Sequence, residues 1–200
     1  MSRPVRVAVL AVTLAIVTAL WTEAGVWAQP EMPPVVESNG LFTASFPAGW
    51  DVLQIPAARA TALFGQQNPG EDLKALMVGK PPGADPEAYV LIFVIGLAKP
   101  ITPLDVWLAA GTRFGKAFPE FKSLEDGLDT IGGREMYYNH FTWRAPADSG
   151  PSRPSYSVLL MFSSAAIAYI FVGTTLNDPG HIHEYGPIFR QIAETLTPSQ

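Results

Sequence analysis

Three observations predict an α+β fold around a mostly antiparallel sheet of about six strands. Ile131 to Leu176 reads as three consecutive strands, roughly 134–144, 155–163 and 167–175, separated by turn-rich breaks. Ala88 to Leu97 (AYVLIFVIGL) is an almost unbroken apolar run, the pattern of a strand covered on both faces. Two further segments, one beginning at Thr102 and one after Gly180, carry helical spacing instead.

The three strands are the spine. In the first, Tyr137, Phe141 and Trp143 share one face, and Met136, Tyr138 and His140 share the other. Both faces are bulky, so the sheet should carry helices or long loops on both sides. Ser163-Ser164-Ala165-Ala166 is short enough for a tight hairpin between the last two strands. Gly132-Gly133 is a turn, and Ala145 to Pro154 is a longer turn-rich connection.

Upstream, Gly40 to Phe46 alternates as a strand, with Phe42 facing away from Leu41, Thr43 and Ser45. Pro47-Ala48-Gly49 predicts a turn, and Trp50 to Ile55 the returning strand. Arg59 to Gly65 could be a further strand. Leu73 to Val78 reads equally well as strand or helix, because a short apolar run does not separate them. Phe121 to Asp129 is polar and suits a short edge strand.

The mid-chain helix has clear boundaries. Thr102 is placed to cap it, Pro103 suits the first turn, and Asp105 stands three residues after the cap. Leu104, Trp107, Leu108, Phe114 and Phe118, with Gly111 and Gly115, form its apolar stripe, and Pro119 ends it. In the last helix Tyr185, Ile188, Phe189, Ile192 and Leu196 share a face, and Pro187 must lie in the first turn or kink it.

Length and composition bound the function. Two hundred residues suit one domain, and 48% hydrophobic against 16% charged residues can fill a core. Arg3 and Arg6 precede the charge-free apolar run Val7 to Trp21, and Val26-Trp27-Ala28 places small residues where signal peptidase needs them. The expected organisation is a signal peptide over 1–28, a Pro-rich flexible connector over 29–39 and a single domain over 40–200. The run is shorter than the roughly 20 residues of a membrane span, so the mature chain should have none.

With no cysteine, the chain has neither disulfides nor a thiol for lipidation, which excludes a lipoprotein. A periplasmic or secreted bacterial protein is expected. Loss of Arg3, Arg6 and Glu23 with the leader leaves 11 basic and 17 acidic side chains, net −6. No basic block remains for nucleic acid or an anionic membrane.

The order of elements resembles a known family. Phe46-Pro47-Ala48-Gly49-Trp50 near the start, a mid-chain helix, Ile131-Gly132-Gly133-Arg134-Glu135-Met136 leading into the meander, and a helix after Thr174-Thr175 resemble the Mog1/PsbP-like superfamily, including DcrB-type bacterial proteins. The resemblance spans about residues 40–197. It implies an α-β-α sandwich and accessory or binding roles rather than catalysis. Members serve as extrinsic photosystem II subunits, as a regulator of a small GTPase and as bacterial envelope proteins. It carries over no functional residues, and the missing lipidation cysteine departs from many bacterial relatives.

Candidate chemistry is sparse. His181 and His183, with Glu184 and a third imidazole from His140, could ligate zinc in an exported metal-binding protein or hydrolase. Against this, residues 181 and 183 of a helix point in different directions. There is no G-x-S-x-G elbow, and Ser163 and Ser164 read as hairpin residues. Glu125 and Asp126 read as a solvated edge, and Gly132-Gly133 lacks the context of a phosphate loop. Trp107, Trp143, Tyr137 and Tyr138 fit core packing, or the lining of a pocket in a small-ligand carrier. The sequence therefore predicts no catalytic, cofactor or metal residues. Its leading expectation is a non-enzymatic accessory protein that acts through a protein partner in the cell envelope.

Overall fold

Two antiparallel sheets carry the chain. The computed structural model describes residues 35–38, 40–59, 72–83, 88–108, 118–144 and 153–199. The strands are β1 (Val35–Ser38), β2 (Phe42–Phe46), β3 (Asp51–Pro56), β4 (Asp72–Lys80), β5 (Ala88–Gly96), β6 (Lys122–Ile131), β7 (Arg134–Arg144), β8 (Pro154–Ser164), β9 (Ile167–Leu176) and β10 (Thr197–Pro198). The large sheet has seven strands in the order β3-β4-β5-β9-β8-β7-β6, and the small one runs β1-β2-β10. The expected sheet of about six strands is thus one of seven beside a second, smaller sheet.

The spine forms as the alternation predicts. β7, β8 and β9 are successive antiparallel neighbours, with Phe141 opposite Ser157 and Ser157 opposite Thr174. β9 is the middle strand of seven, buried from Ala168 to Thr175, and β5 lies against it. Leu73 to Val78 resolves as strand, inside β4. The polar stretch after Phe121 is an edge strand, as expected, but β6 runs ten residues.

Four expectations need correction. β2 and β3 do not form a hairpin, because β2 joins β1 and β10 while β3 pairs with β4. Trp50 explains the departure: it is buried beside Phe46, with ring centroids 6.3 Å apart, so Pro47 to Gly49 is a corner between sheets. Residues 35–38 of the expected connector form β1 instead. Residues 57–59 are helical, so no strand begins at Arg59. Pro187 lies inside the last helix, which starts earlier than expected, at Pro179. The expectations for 1–34, 60–65, Gly111, Phe114, Gly115 and 145–152 lie outside the described residues.

One face of the large sheet is covered by the small sheet and the C-terminal helix (Pro179–Thr195). Phe42 meets Tyr169 edge-on at 6.5 Å, and Tyr185, Phe189 and Ile192 descend from the helix. Burying each such ring stabilises the fold by about 1.5–3 kcal/mol. Two glycines permit the close approach. A Cβ on Gly173 would lie 2.5 Å from Phe189 Cγ, and one on Gly79 would lie 2.4 Å from the Phe46 ring.

Helical residues 103–108, with Phe118 and Phe121, pack on the opposite face. The predicted capping box is present: the Asp105 N–H donates to Thr102 Oγ1 at 3.1 Å, and the Thr102 N–H to Asp105 Oδ2 at 3.3 Å. The expected stripe is rotated. Val106 is buried and Trp107 lies on Tyr137, whereas Leu104 and Leu108 are 43% and 67% exposed. Because one cover is partly sheet, the layering departs from a simple α-β-α sandwich.

Candidate functional site

The polar chemistry of the described residues gathers on the hairpin of β6 and β7. Its turn, Ile131-Gly132-Gly133-Arg134, has φ values of +56° and +76° at the glycines, as a two-residue hairpin turn requires. A Cβ on Gly132 would sit 2.5 Å from the Glu194 carbonyl oxygen, so the turn is pressed against the end of the C-terminal helix. Arg134 Nη2 donates to that carbonyl at 3.4 Å, and its guanidinium lies 5.2 Å from the Phe162 ring centre. The last helical turn has no basic residue of its own, so Arg134 supplies positive charge at the negative end of the helix dipole. Burial lowers the pKa of this guanidinium.

Strand alternation sorts the hairpin side chains onto two faces. Glu125 lies opposite His140 and Asp129 opposite Met136, on the face that meets the C-terminal helix. The Tyr138 hydroxyl donates to Glu125 Oε1 at 3.1 Å, and Arg190 of the helix reaches Asp129 at 3.2 Å and Glu194 at 3.3 Å. His140 is half-buried, with its Nδ1 3.0 Å from the Tyr156 hydroxyl. Burial lowers the His140 pKa; Glu125 opposes this shift and Arg190 adds to it.

Asp126 lies opposite Asn139 and Leu128 opposite Tyr137, on the other face. The Tyr137 hydroxyl donates to Asp126 Oδ2 at 3.0 Å, and Asn139 Nδ2 donates to Ser123 Oγ at 3.0 Å. Trp107 stacks on Tyr137, with centroids 4.8 Å apart and planes 16° from parallel. Burial and the Asp126 carboxylate push the Tyr137 phenol up to about 12.

A second polar line lies deeper on this face. Trp143 Nε1 donates to Ser157 Oγ at 2.9 Å, Ser157 Oγ is 2.8 Å from Thr174 Oγ1, and Thr174 also bonds Tyr89. Burial pushes the Tyr89 phenol up to about 12. These side chains satisfy one another across β7, β8, β9 and β5.

The imidazoles singled out by sequence do not assemble. His181 sits in the first turn of the C-terminal helix, 2.5 Å from Asp178 Oδ2, with its ring stacked toward Tyr185. Asp178 is the N-cap and accepts the His181 N–H at 3.1 Å. His183 is exposed, and His140 lies on β7 with Tyr156. Among the described residues, no three His, Asp or Glu side chains gather to hold a metal. The Ser163 hydroxyl donates to the Ile101 carbonyl at 2.5 Å, and Ala165 takes φ +52° in the hairpin turn. Glu125 and Asp126, adjacent in sequence, lie on opposite faces of one edge strand.

Sequence reasoning missed the hairpin as a site. The adjacent carboxylates, followed by Tyr137-Tyr138 across a Gly-Gly turn, carried the signal, since one hairpin register pairs each acid with a phenol.

Comparisons place this architecture among known folds. No family model and no curated protein matches the chain. Solved structures do. The cyanobacterial PsbP (CyanoP) of Synechocystis superimposes with a TM-score of 0.51 at 11% identity, over 88% of this chain and 99% of that one. LpqN of Mycobacterium tuberculosis, involved in cell envelope biogenesis, gives 0.52 at 16% identity, over 84% and 90%. The fold is Mog1/PsbP-like. The Ran-binding protein Mog1p of Saccharomyces cerevisiae is also similar, at a TM-score of 0.50 and 8% identity over 82% of this chain and 95% of that one. In this Mog1/PsbP-like fold, the Gly-Gly-Arg signature docks the edge hairpin of β6 and β7 on the last helix. Among the described residues no helix is long and apolar enough to cross a membrane.

Proposed function

We propose that this chain is an exported, non-enzymatic accessory protein of the bacterial cell envelope that acts by binding a protein partner. The supporting observation is the fold, shared with LpqN, which is involved in cell envelope biogenesis, and with the Ran-binding protein Mog1p. Fold alone leaves function to specific surfaces, and the β6–β7 hairpin offers one. It is an outer strand with paired acidic and phenolic side chains on both faces. In this reading residues 1–28 are a signal peptide removed after Ala28, and the mature protein is periplasmic or secreted.

Two measurements test the reading. N-terminal sequencing of the protein recovered from its producing cells should begin at Gln29. Affinity capture from an envelope extract should retain the same protein reproducibly at moderate salt. A retained leader would overturn the export assignment, and failure to capture any protein would overturn the partner assignment.

A further inference from the structure

The large sheet ends in two very different edges. β3 is six residues long, closes on Pro56, and has Asp51 3.7 Å from Lys80 of β4. Short length, proline and charge all blunt a sheet edge. β6 is ten residues long and contains no proline. Its side chains from Lys122 to Asp126 are all exposed, with Leu124 and Leu128 at 53% and 49%. Among the described residues it has one neighbour, β7, and the backbone groups on its other side are a template for one more strand.

Two features beside this edge give it selectivity. Leu128 shares the Tyr137 face with Trp107, whose helical segment exposes Leu104 and Leu108 four residues apart. The four large hydrophobic side chains exposed among the described residues therefore lie on β6 and on the helical segment stacked against its neighbour. An edge strand beside a helix is a common arrangement for adding an extended peptide: the ladder gives affinity, and alternate side chains meet apolar surface. The second feature is charge. Glu125 and Asp126 accept hydrogen bonds from the Tyr138 and Tyr137 phenols, one acid on each face.

We infer that β6 is a docking edge for an extended, lysine- or arginine-bearing segment of a partner protein, which adds as an eighth strand beside the helical segment at 103–108. This specifies the surface and the partner chemistry of the binding role proposed above, and rests on that reading. The acidic pair argues against a second copy of this chain as occupant. A two-fold β6–β6 pairing would bring four carboxylates onto adjacent strands about 4.8 Å apart, and like charges on facing strands destabilise. The bulge at Leu124 interrupts the regular β6 register in the same way. Devices that block self-pairing leave the edge open to a partner of opposite charge.

The test uses the protein purified from its producing cells and a short peptide that alternates lysine with valine. Amide hydrogen exchange should slow along β6 when the peptide binds, with no protection gained along β3. Replacing lysine by glutamate in the peptide, or Glu125→Gln with Asp126→Asn in the protein, should weaken binding about five- to tenfold, the effect of two exposed charge pairs. N-methylating alternate peptide amides should abolish it. These substitutions are exposed and near-isosteric, so an unchanged melting midpoint certifies the fold. Binding without β6 protection, or equal binding of the glutamate peptide, would overturn the inference. So would concentration-dependent β6 protection without peptide, which would mean self-association. If an envelope partner is captured equally by wild type and the Glu125→Gln, Asp126→Asn protein, the edge assignment fails while the partner reading stands. If the peptide docks at β6 but no envelope protein is captured, the edge assignment holds and the partner reading fails.

Discussion

On one side the large sheet meets its cover through aromatic rings seated over glycines. On the other, beneath Trp107 and Phe118 of the cover, the sheet carries hydroxyl and indole groups bonded to each other across its own strands. Phe189 over Gly173 and Phe46 over Gly79 typify the first, and the line from Trp143 through Ser157 to Thr174 the second. The helix side is fixed by volume, since no atom can be added at the glycines without moving a ring. The strands of the opposite face are tied by hydrogen-bond satisfaction, where removing one partner strands the others in a dry environment. Shape carries the first arrangement and pairing between strands the second, and the two should fail differently.

The largest effect is expected on the helix side. Phe189→Ala should cost about 3–5 kcal/mol in urea unfolding, as for other fully buried aromatic rings. Gly173→Ala should destabilise alone but much less in the Phe189→Ala background, where the ring is gone. Strict additivity of the two changes would break the volume account. On the opposite side Ser157→Ala should cost about 1–3 kcal/mol by leaving the Trp143 indole and the Thr174 hydroxyl short of a partner. Adding Thr174→Val should then cost less than the sum of the two single changes, the remaining penalty coming from the Tyr89 hydroxyl that loses Thr174, and strict additivity would show that the line is not one unit.

A smaller effect concerns pH. Burial holds the His140 pKa below its ordinary 6.5, so the unfolded chain binds that proton more readily. Stability should therefore fall as pH drops from about 6.5 through the folded value, and His140→Gln should flatten that part of the urea-midpoint profile. The groups around it are Tyr138, Tyr156, Glu125 and Arg190, of which Glu125 raises and Arg190 lowers its pKa. The smallest change is Leu108→Ser, which should alter stability by no more than about 0.5 kcal/mol because the side chain is largely exposed. A large loss there would mean the helical segment is held by more than Val106 and Trp107.

Features carried by local chemistry were legible in the sequence. Residues 88–97 show their double burial in an unbroken apolar run, Thr102 and Asp105 announce a helix start, and Gly132-Gly133 marks a turn. What failed were choices of partner. Phe46 to Trp50 has the residues of a hairpin, yet β10 and β4, the strands that claim β2 and β3, lie elsewhere in the chain. Local spacing cannot weigh such competitors. The polar line was hidden for the same reason, since Ser157 and Thr174 look neutral until register brings them together. His181 and His183 drew attention because they are close in sequence, whereas Glu125 with Tyr138 and Asp126 with Tyr137 become neighbours only across a hairpin.

The position of β9 governs how the molecule can be made. It is the last strand of the large sheet in chain order yet the middle one in space, pairing Ala88 of β5 with Thr175 on one side and Val158 of β8 with Gly173 on the other. Until it has left the ribosome, the β3-β4-β5 and β6-β7-β8 groups have no strand to join them. The small sheet waits longer still, because Thr197 must return to Thr43. Such non-local pairing folds slowly, on a scale of about milliseconds to seconds. A chain that withholds its keystone until the other six strands of that sheet have been made keeps the sheet open until β9 joins its two halves.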